Sequence, residues 1–263
     1  MSACTFVKWG GSLITDKTTP FTLRPDVLKR LAQELSEEWL EQAGHLILGH
    51  GGGSFGHVAA AHANSESTSV AQDISAIQHA MGRLHCAVID ALRAVDLPAV
   101  SFRPSNLLIS DGGAPVSCHI AALEQALTHG ALPVVCGDVT LDRSRSWAIC
   151  STEIVFRTII DALHKQGHPT DRVLWCGNTD GVYDAQGATL SHLTPTTAAD
   201  LLPAFSDPEG TDVTGGITHR VETALTLAEQ GIESVILNGD NPGDLKAALR
   251  NAPRRATRVT AGR

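Results

Sequence analysis

Short apolar runs that empty into glycine, with helical patterns between them, recur along this chain and decide its fold class. Thr5–Trp9 ends at Gly10-Gly11-Ser12 and His45–Leu48 at a second glycine cluster. Leu132–Cys136 ends at Gly137-Asp138, Arg172–Cys176 at Gly177-Asn178 and Ser234–Leu237 at Asn238-Gly239. Strands joined to helices through such turns build a mostly parallel sheet with helices on both faces. In sheets of that kind ligands gather at the carboxyl ends of the strands, which is where every glycine cluster falls. Apolar residues at helical spacing mark Pro25–Gln42 (Val27, Leu31, Leu35, Leu40) and a long stretch from Ala71 to Val95 (Ile74, Ile77, Met81, Leu84, Val88, Leu92). Cys118–His129, Glu153–Gln166, Thr218–Gln230 and Asp244–Arg250 read as further helices, and Pro98–Phe102 as a further strand. No repeat, low-complexity tract or obvious linker divides the 263 residues, so a single domain is expected.

The core of that sheet has to be aliphatic, because aromatic residues are only 4% of the chain against 43% for all hydrophobic types. A net charge of −8 argues against a general nucleic-acid surface. It leaves room for an anionic substrate, since a few lysines in a pocket outweigh the global sign. Cys4, Cys86, Cys118, Cys136, Cys150 and Cys176 are scattered, form no CxxC pair and are expected to be reduced thiols. The first residues, MSACTFVKWGGS, hold no signal-peptide hydrophobic region. No apolar run approaches the roughly 18 residues of a membrane span. A soluble, cytoplasmic protein is expected.

Lys8-Trp9-Gly10-Gly11-Ser12 places a lysine just before a glycine turn, where amides reach an anion without obstruction by Cβ. A tight turn beside a surface lysine is the plainer reading of the same residues. Gly49-His50-Gly51-Gly52-Gly53-Ser54-Phe55-Gly56-His57 is denser in glycine than a simple loop needs, and consecutive bare amides form an anion-binding nest. His57 at its edge is placed to donate to a phosphate oxygen, whereas His50 reads as structural. Asn178-Thr179-Asp180-Gly181-Val182-Tyr183 follows a strand and reads as a turn. Asp212-Val213-Thr214-Gly215-Gly216-Ile217 opens a helix whose first turn suits phosphate, with Arg220 one turn in. The Walker A signature is missing, and the GxGxxG fingerprint is missing at the first turn, which weakens P-loop and dehydrogenase readings.

In this order these segments resemble the amino-acid kinase superfamily. VKWGGSLITDK, GHGGGSFGHVAA, DLPAVSFRPSNL, GDVTLD, TDGVYD and DVTGGI resemble its isopentenyl phosphate kinase branch. The likeness runs from about Thr5 to the final ATRV. His57 marks a subgroup shared with fosfomycin kinases, while IQHAM and PAVSFRPS lean toward the isopentenyl branch. The resemblance implies an α/β fold, a three-layer αβα sandwich with an open, mostly parallel sheet, and a homodimer. It puts the phosphate acceptor in about residues 1–135 and ATP in about residues 136–263. It implies ATP and Mg²⁺ as cofactors and a small prenyl monophosphate as substrate, with no nucleic-acid or membrane partner.

By that resemblance Lys8 contacts the transferring phosphoryl group, Lys17 stabilises the transition state and His57 binds the acceptor phosphate. Gly10, Gly11, Gly52 and Gly53 cradle phosphate, and Ser151 stands on the acceptor wall. Lys8, Gly10, Gly11, Ser12, Gly53, Asn178, Asp180, Gly181, Tyr183, Gly215, Gly216 and Arg220 match nucleotide-side positions, and no metal ligand is assigned. Three positions depart from the family pattern. Arg220 stands for a common lysine, Asn178 for a frequent aspartate, and Cys150-Ser151-Thr152-Glu153 for SGDD, with Ser151 replacing a glycine. The chemistry implied is direct phosphoryl transfer, in which positioning and charge do the work and no general base is required. Two rivals remain: a fosfomycin or other phosphonate kinase, and a catalytically weakened regulatory member of the fold. The stripe Ile74, Ile77, Met81, Leu84, Val88 is either an acceptor-pocket wall or simply core.

Overall fold

The computed structural model describes residues 3–56, 58–59, 69–199 and 216–262. The first strand, β1 (Cys4–Trp9), pairs in parallel with β2 (Leu46–His50) on one side and β9 (Thr170–Gly177) on the other. Beyond β2 lie β6 (Leu132–Cys136) and β3 (Ala99–Ser101); beyond β9 lies β11 (Glu233–Asn238). All these neighbours are parallel, so their carboxyl ends open on one edge of the sheet. The antiparallel β12 (Ala256–Val259) and the short β10 (His192–Leu193) complete eight strands.

Every residue of β1 is buried, as a central strand covered on both faces must be. Alternation then divides the core. Val7 and Trp9 join one cluster under α2 (Pro25–Glu37), α4 (Val70–Arg93) and α9 (Asp244–Leu249). Phe6 joins the other cluster, under α6 (Ala121–Thr128), α7 (Thr152–Lys165) and α8 (Gly216–Glu229). Lys8 shares Phe6's face and comes up beneath the first turn of α7.

Three readings need correction. The helix expected over Pro25–Gln42 stops at Glu37, and a short α3 (Trp39–Gln42) follows the break at Glu38. Leu40, placed on the apolar face by spacing, is 95% exposed because the break rotates it outward. Cys118 ends a strand, β5 (Ala114–Cys118), so the next helix starts only at Ala121. The third concerns an element that helix periodicity does not reveal: a second sheet, ordered β5-β4-β7-β8. It contains β4 (Leu108–Asp111), β7 (Asp138–Asp142) and β8 (Ser146–Cys150), and β4 follows a single helical turn, α5 (Pro104–Leu107). Pro115 is tolerated because β5 is an edge strand. β7 begins one residue after β6 and β8 ends just before α7, so the small sheet packs beside the open edge of the large one and against α4. All six cysteines are free thiols. Among the described residues no helix is long and apolar enough to cross a membrane.

Candidate active site

At the end of β1 the chain turns into a single helical turn, α1 (Gly11–Ile14), whose first amides have no intrahelical acceptors. At the end of β2 it enters Gly51-Gly52-Gly53 and a helical turn over 53–56. The two turns touch backbone to backbone, and a Cβ on Gly11 would overlap the Gly53 amide nitrogen. Gly53 also sits at φ +48°, a left-handed conformation that favours glycine. Thr15 ties the pair together. Its hydroxyl donates to the Gly11 carbonyl at 2.8 Å and accepts from the Ser54 amide at 3.0 Å.

These turns floor a cavity of about 280 Å³. Lys8, Gly11, Ser12, Lys17, Gly52, Gly53, Ser151 and Arg220, all singled out from sequence, line it together. Its other side is apolar: Ile77 and Met81 from α4, Val139 from β7 and Ile149 from β8. An adjoining crevice of about 580 Å³ is lined by Ser12, Lys17, Asn178, Thr179, Ile217 and Arg220, among others.

Lys8 is buried and ion-paired with Glu153 in the first turn of α7. Burial alone would raise the Glu153 carboxyl, but the Lys8 charge and hydrogen bond, with Arg220 beyond, hold it at about 2. The carboxylate thus stays ionised and fixes the ammonium that faces the cavity. Sequence reading passed over Glu153 as one letter of a departed motif. The signal was there: a lone acid at the start of an apolar helix.

The other departures also have local reasons. Ser151 caps α7, its Oγ accepting from the Ile154 amide at 3.3 Å, and its hydroxyl meets His219 Nε2 at 3.1 Å. Asn178 donates from Nδ2 to the Ser12 carbonyl at 3.2 Å and to Asp240 at 3.3 Å. An aspartate there would set like charges together, whereas the amide bridges the ends of β9 and β11. Arg220 lies so close to Gly177 that a Cβ at that glycine would come within 2.6 Å of its guanidinium.

Not every sequence candidate reaches the cavity. Gly10 donates its amide to the Cys176 carbonyl at 2.8 Å, so it serves strand pairing, and the anion-facing turn begins at Gly11. Asp180 accepts from Asn238, Asn241 and Arg255, and with Tyr183 it lines a separate surface pocket. Gly181 packs against Thr257, and Gly216 opens α8. His57 and Gly215 lie outside the described residues.

Residues 3–238 match the family model of the amino acid kinase family. The chain belongs to the amino acid kinase family. Within that family it is 31% identical to the isopentenyl phosphate kinase of Methanothermobacter thermautotrophicus, across 97% of this chain and 98% of the relative. Against the isopentenyl phosphate kinase of Haloferax volcanii the identity is 32%, over 90% and 96%. An isopentenyl phosphate kinase solved by X-ray crystallography superposes with a TM-score of 0.79 at 28% identity, over 98% of this chain and 100% of that one. The three-layer architecture with a mostly parallel sheet is therefore the amino acid kinase fold, and the relatives matched along almost their whole length are kinases.

Proposed function

We propose that this chain transfers the γ-phosphoryl group of ATP to a prenyl monophosphate, isopentenyl phosphate in the first instance. The observation that carries the reading is the two-sided cavity. Ile77, Met81, Val139 and Ile149 suit a short hydrocarbon tail, and Lys8, Lys17, Arg220 and the glycine amides suit phosphate. A phosphate oxygen of the acceptor attacks the γ-phosphorus while the bond to the β,γ-bridging oxygen breaks and ADP leaves. The attacking oxygen is already anionic, so the protein's work is to bring two anions together.

Lys8, held by Glu153, and Lys17 face the transferring group. Gly11 and Ser12 serve the donor phosphates, and Gly52 and Gly53 the acceptor phosphate. His57, at the edge of that nest in sequence, is assigned to the acceptor. ATP occupies the adjoining crevice, which Asn178 lines and which Ser12, Lys17 and Arg220 share with the cavity. Of the carboxylates lining the cavity, Glu153 is ion-paired with Lys8 and Asp138 with Arg103. That donor set does not fit a resident Mg²⁺, so the ion comes with the nucleotide as Mg·ATP. The apolar lining disfavours a small polar phosphonate as acceptor. A single domain acting as a cytoplasmic homodimer completes the reading; light scattering tests the dimer.

Initial rates with Mg·ATP and a panel of acceptors test the assignment. Isopentenyl and dimethylallyl phosphate should be used with kcat/KM well above that for fosfomycin. Preference for fosfomycin would overturn the acceptor and leave the kinase. No turnover of any acceptor would support the regulatory alternative.

A further inference from the structure

Beneath the glycine nest, on the α4 side of the sheet, lies a buried polar series that the phosphoryl chemistry does not use. His50 ends β2, and His85 rises from α4 to meet it, Nε2 of His50 to Nδ1 of His85 at 2.9 Å. His50 Nδ1 lies 3.2 Å from the Gly51 carbonyl oxygen, and His85 Nε2 lies 2.8 Å from Ser101 Oγ in β3. Cys136 adjoins the pair, and the ligand atoms of the three lie within 4.8 Å of one another. The 2.9 Å between the two imidazole nitrogens is a hydrogen-bond separation, so the series is hydrogen-bonded.

The proton positions follow from the partners. Gly51 O only accepts, so His50 Nδ1 carries hydrogen. Burial, His85 and the nearby cations Arg103 and Lys8 push His50 down to about 3, while the Gly51 carbonyl pulls the other way; burial and Arg103 push His85 to about 4. Both rings are therefore neutral near pH 7. A neutral His50 has a bare Nε2, which must accept from His85 Nδ1–H. His85 then has a bare Nε2, which accepts from Ser101. One direction satisfies every member, running from β3 through α4 to the loop.

We propose that His85 is a positioning residue for phosphoryl transfer, fixing the His50 tautomer that turns the Gly51 carbonyl inward and so aims the following amides at the acceptor phosphate. The inference rests on the acceptor reading above. It also links α4, whose Ile77 and Met81 line the tail pocket, to the phosphate cradle by a path that includes no substrate contact.

The test pairs two variants. His85→Leu keeps an apolar volume but removes the donor; His85→Asn carries an amide N–H where His Nδ1–H stood. The leucine variant should raise the acceptor KM about tenfold, the size of one lost hydrogen bond in a buried network, with the KM for ATP little changed. The asparagine variant should restore the acceptor KM toward wild type. Long-range ¹⁵N–¹H spectra should show His50 as the single Nδ1–H tautomer in wild type and in His85→Asn, and not in His85→Leu. Overturning results are a leucine variant with wild-type acceptor KM, equal losses for both variants, or an Nε2–H tautomer for His50 in wild type. If wild type fails to use any prenyl phosphate, the acceptor reading falls, and the spectra alone still decide the tautomer.

Discussion

Lys8 and Glu153 show how a single pair sets both chemistry and stability. The ammonium is buried and faces the cavity, and its counter-ion comes from the helix that follows the small sheet. Lys8→Ala should lower kcat by about 10²–10³ with a smaller change in KM, as expected for a charge acting mainly on the transition state. Lys17→Ala should behave alike, and a near-normal kcat would remove Lys17 from its assignment. Glu153→Gln strands the lysine without a partner, at a cost of about 3–5 kcal/mol for a broken buried pair. Urea unfolding reads that loss directly. Rate measurements on the same variant show whether Lys8 keeps its place without a counter-charge.

On the proposed reading, the long helix α4 carries the acceptor's tail wall through Ile77 and Met81. Spacing alone left its stripe open between wall and core, and Ile77 and Met81 belong to both: they line the cavity and are buried in the same core cluster as Leu84, Val88 and Leu92. Ile77→Ala or Met81→Ala should extend acceptor use toward geranyl phosphate, at a stability cost of about 2–5 kcal/mol for a large-to-small change. Unchanged chain-length preference in both would detach α4 from specificity. The glycine turns belong to the same scale. Gly11→Ala should abolish turnover, because its Cβ would push the two turns apart; retained activity would show that the turns can separate. What was legible in the sequence is physically sorted. Central strands and their glycines announce themselves, because burial on both faces writes continuous apolar runs. The small sheet did not, because its edge strands β5 and β8 are largely exposed and carry no continuous apolar run, with Val116 facing out. Glu153 and Thr15 act through partners far away in sequence, and local spacing does not encode such pairings.

For the molecule as a whole, the buried histidines tie folding to pH. His50 and His85 are held neutral, at about 3 and about 4 against an ordinary 6.5, so unfolding below 6.5 takes up protons that the fold refuses. Stability should therefore fall as pH drops from 6.5 toward 4, by about 1.4 kcal/mol per pH unit for each ring. Glu153 adds its own loss lower down, as pH falls from 4.5 through about 2. Urea midpoints at pH 7, 6 and 5 should decline in wild type and about half as steeply in His85→Asn; parallel slopes would contradict the neutral pair. The contact of Gly11 with Gly53 has a different kind of consequence. Gly11 and Gly53 meet main chain to main chain, with the Thr15 hydroxyl as the one side-chain tie described between the turns, so on the proposed assignment the gap between donor and acceptor phosphates is gauged chiefly by backbone. The tail pocket, by contrast, is cut from side chains on α4, β7 and β8. Reach along the hydrocarbon can thus be retailored one residue at a time while the reacting ends keep a constant separation.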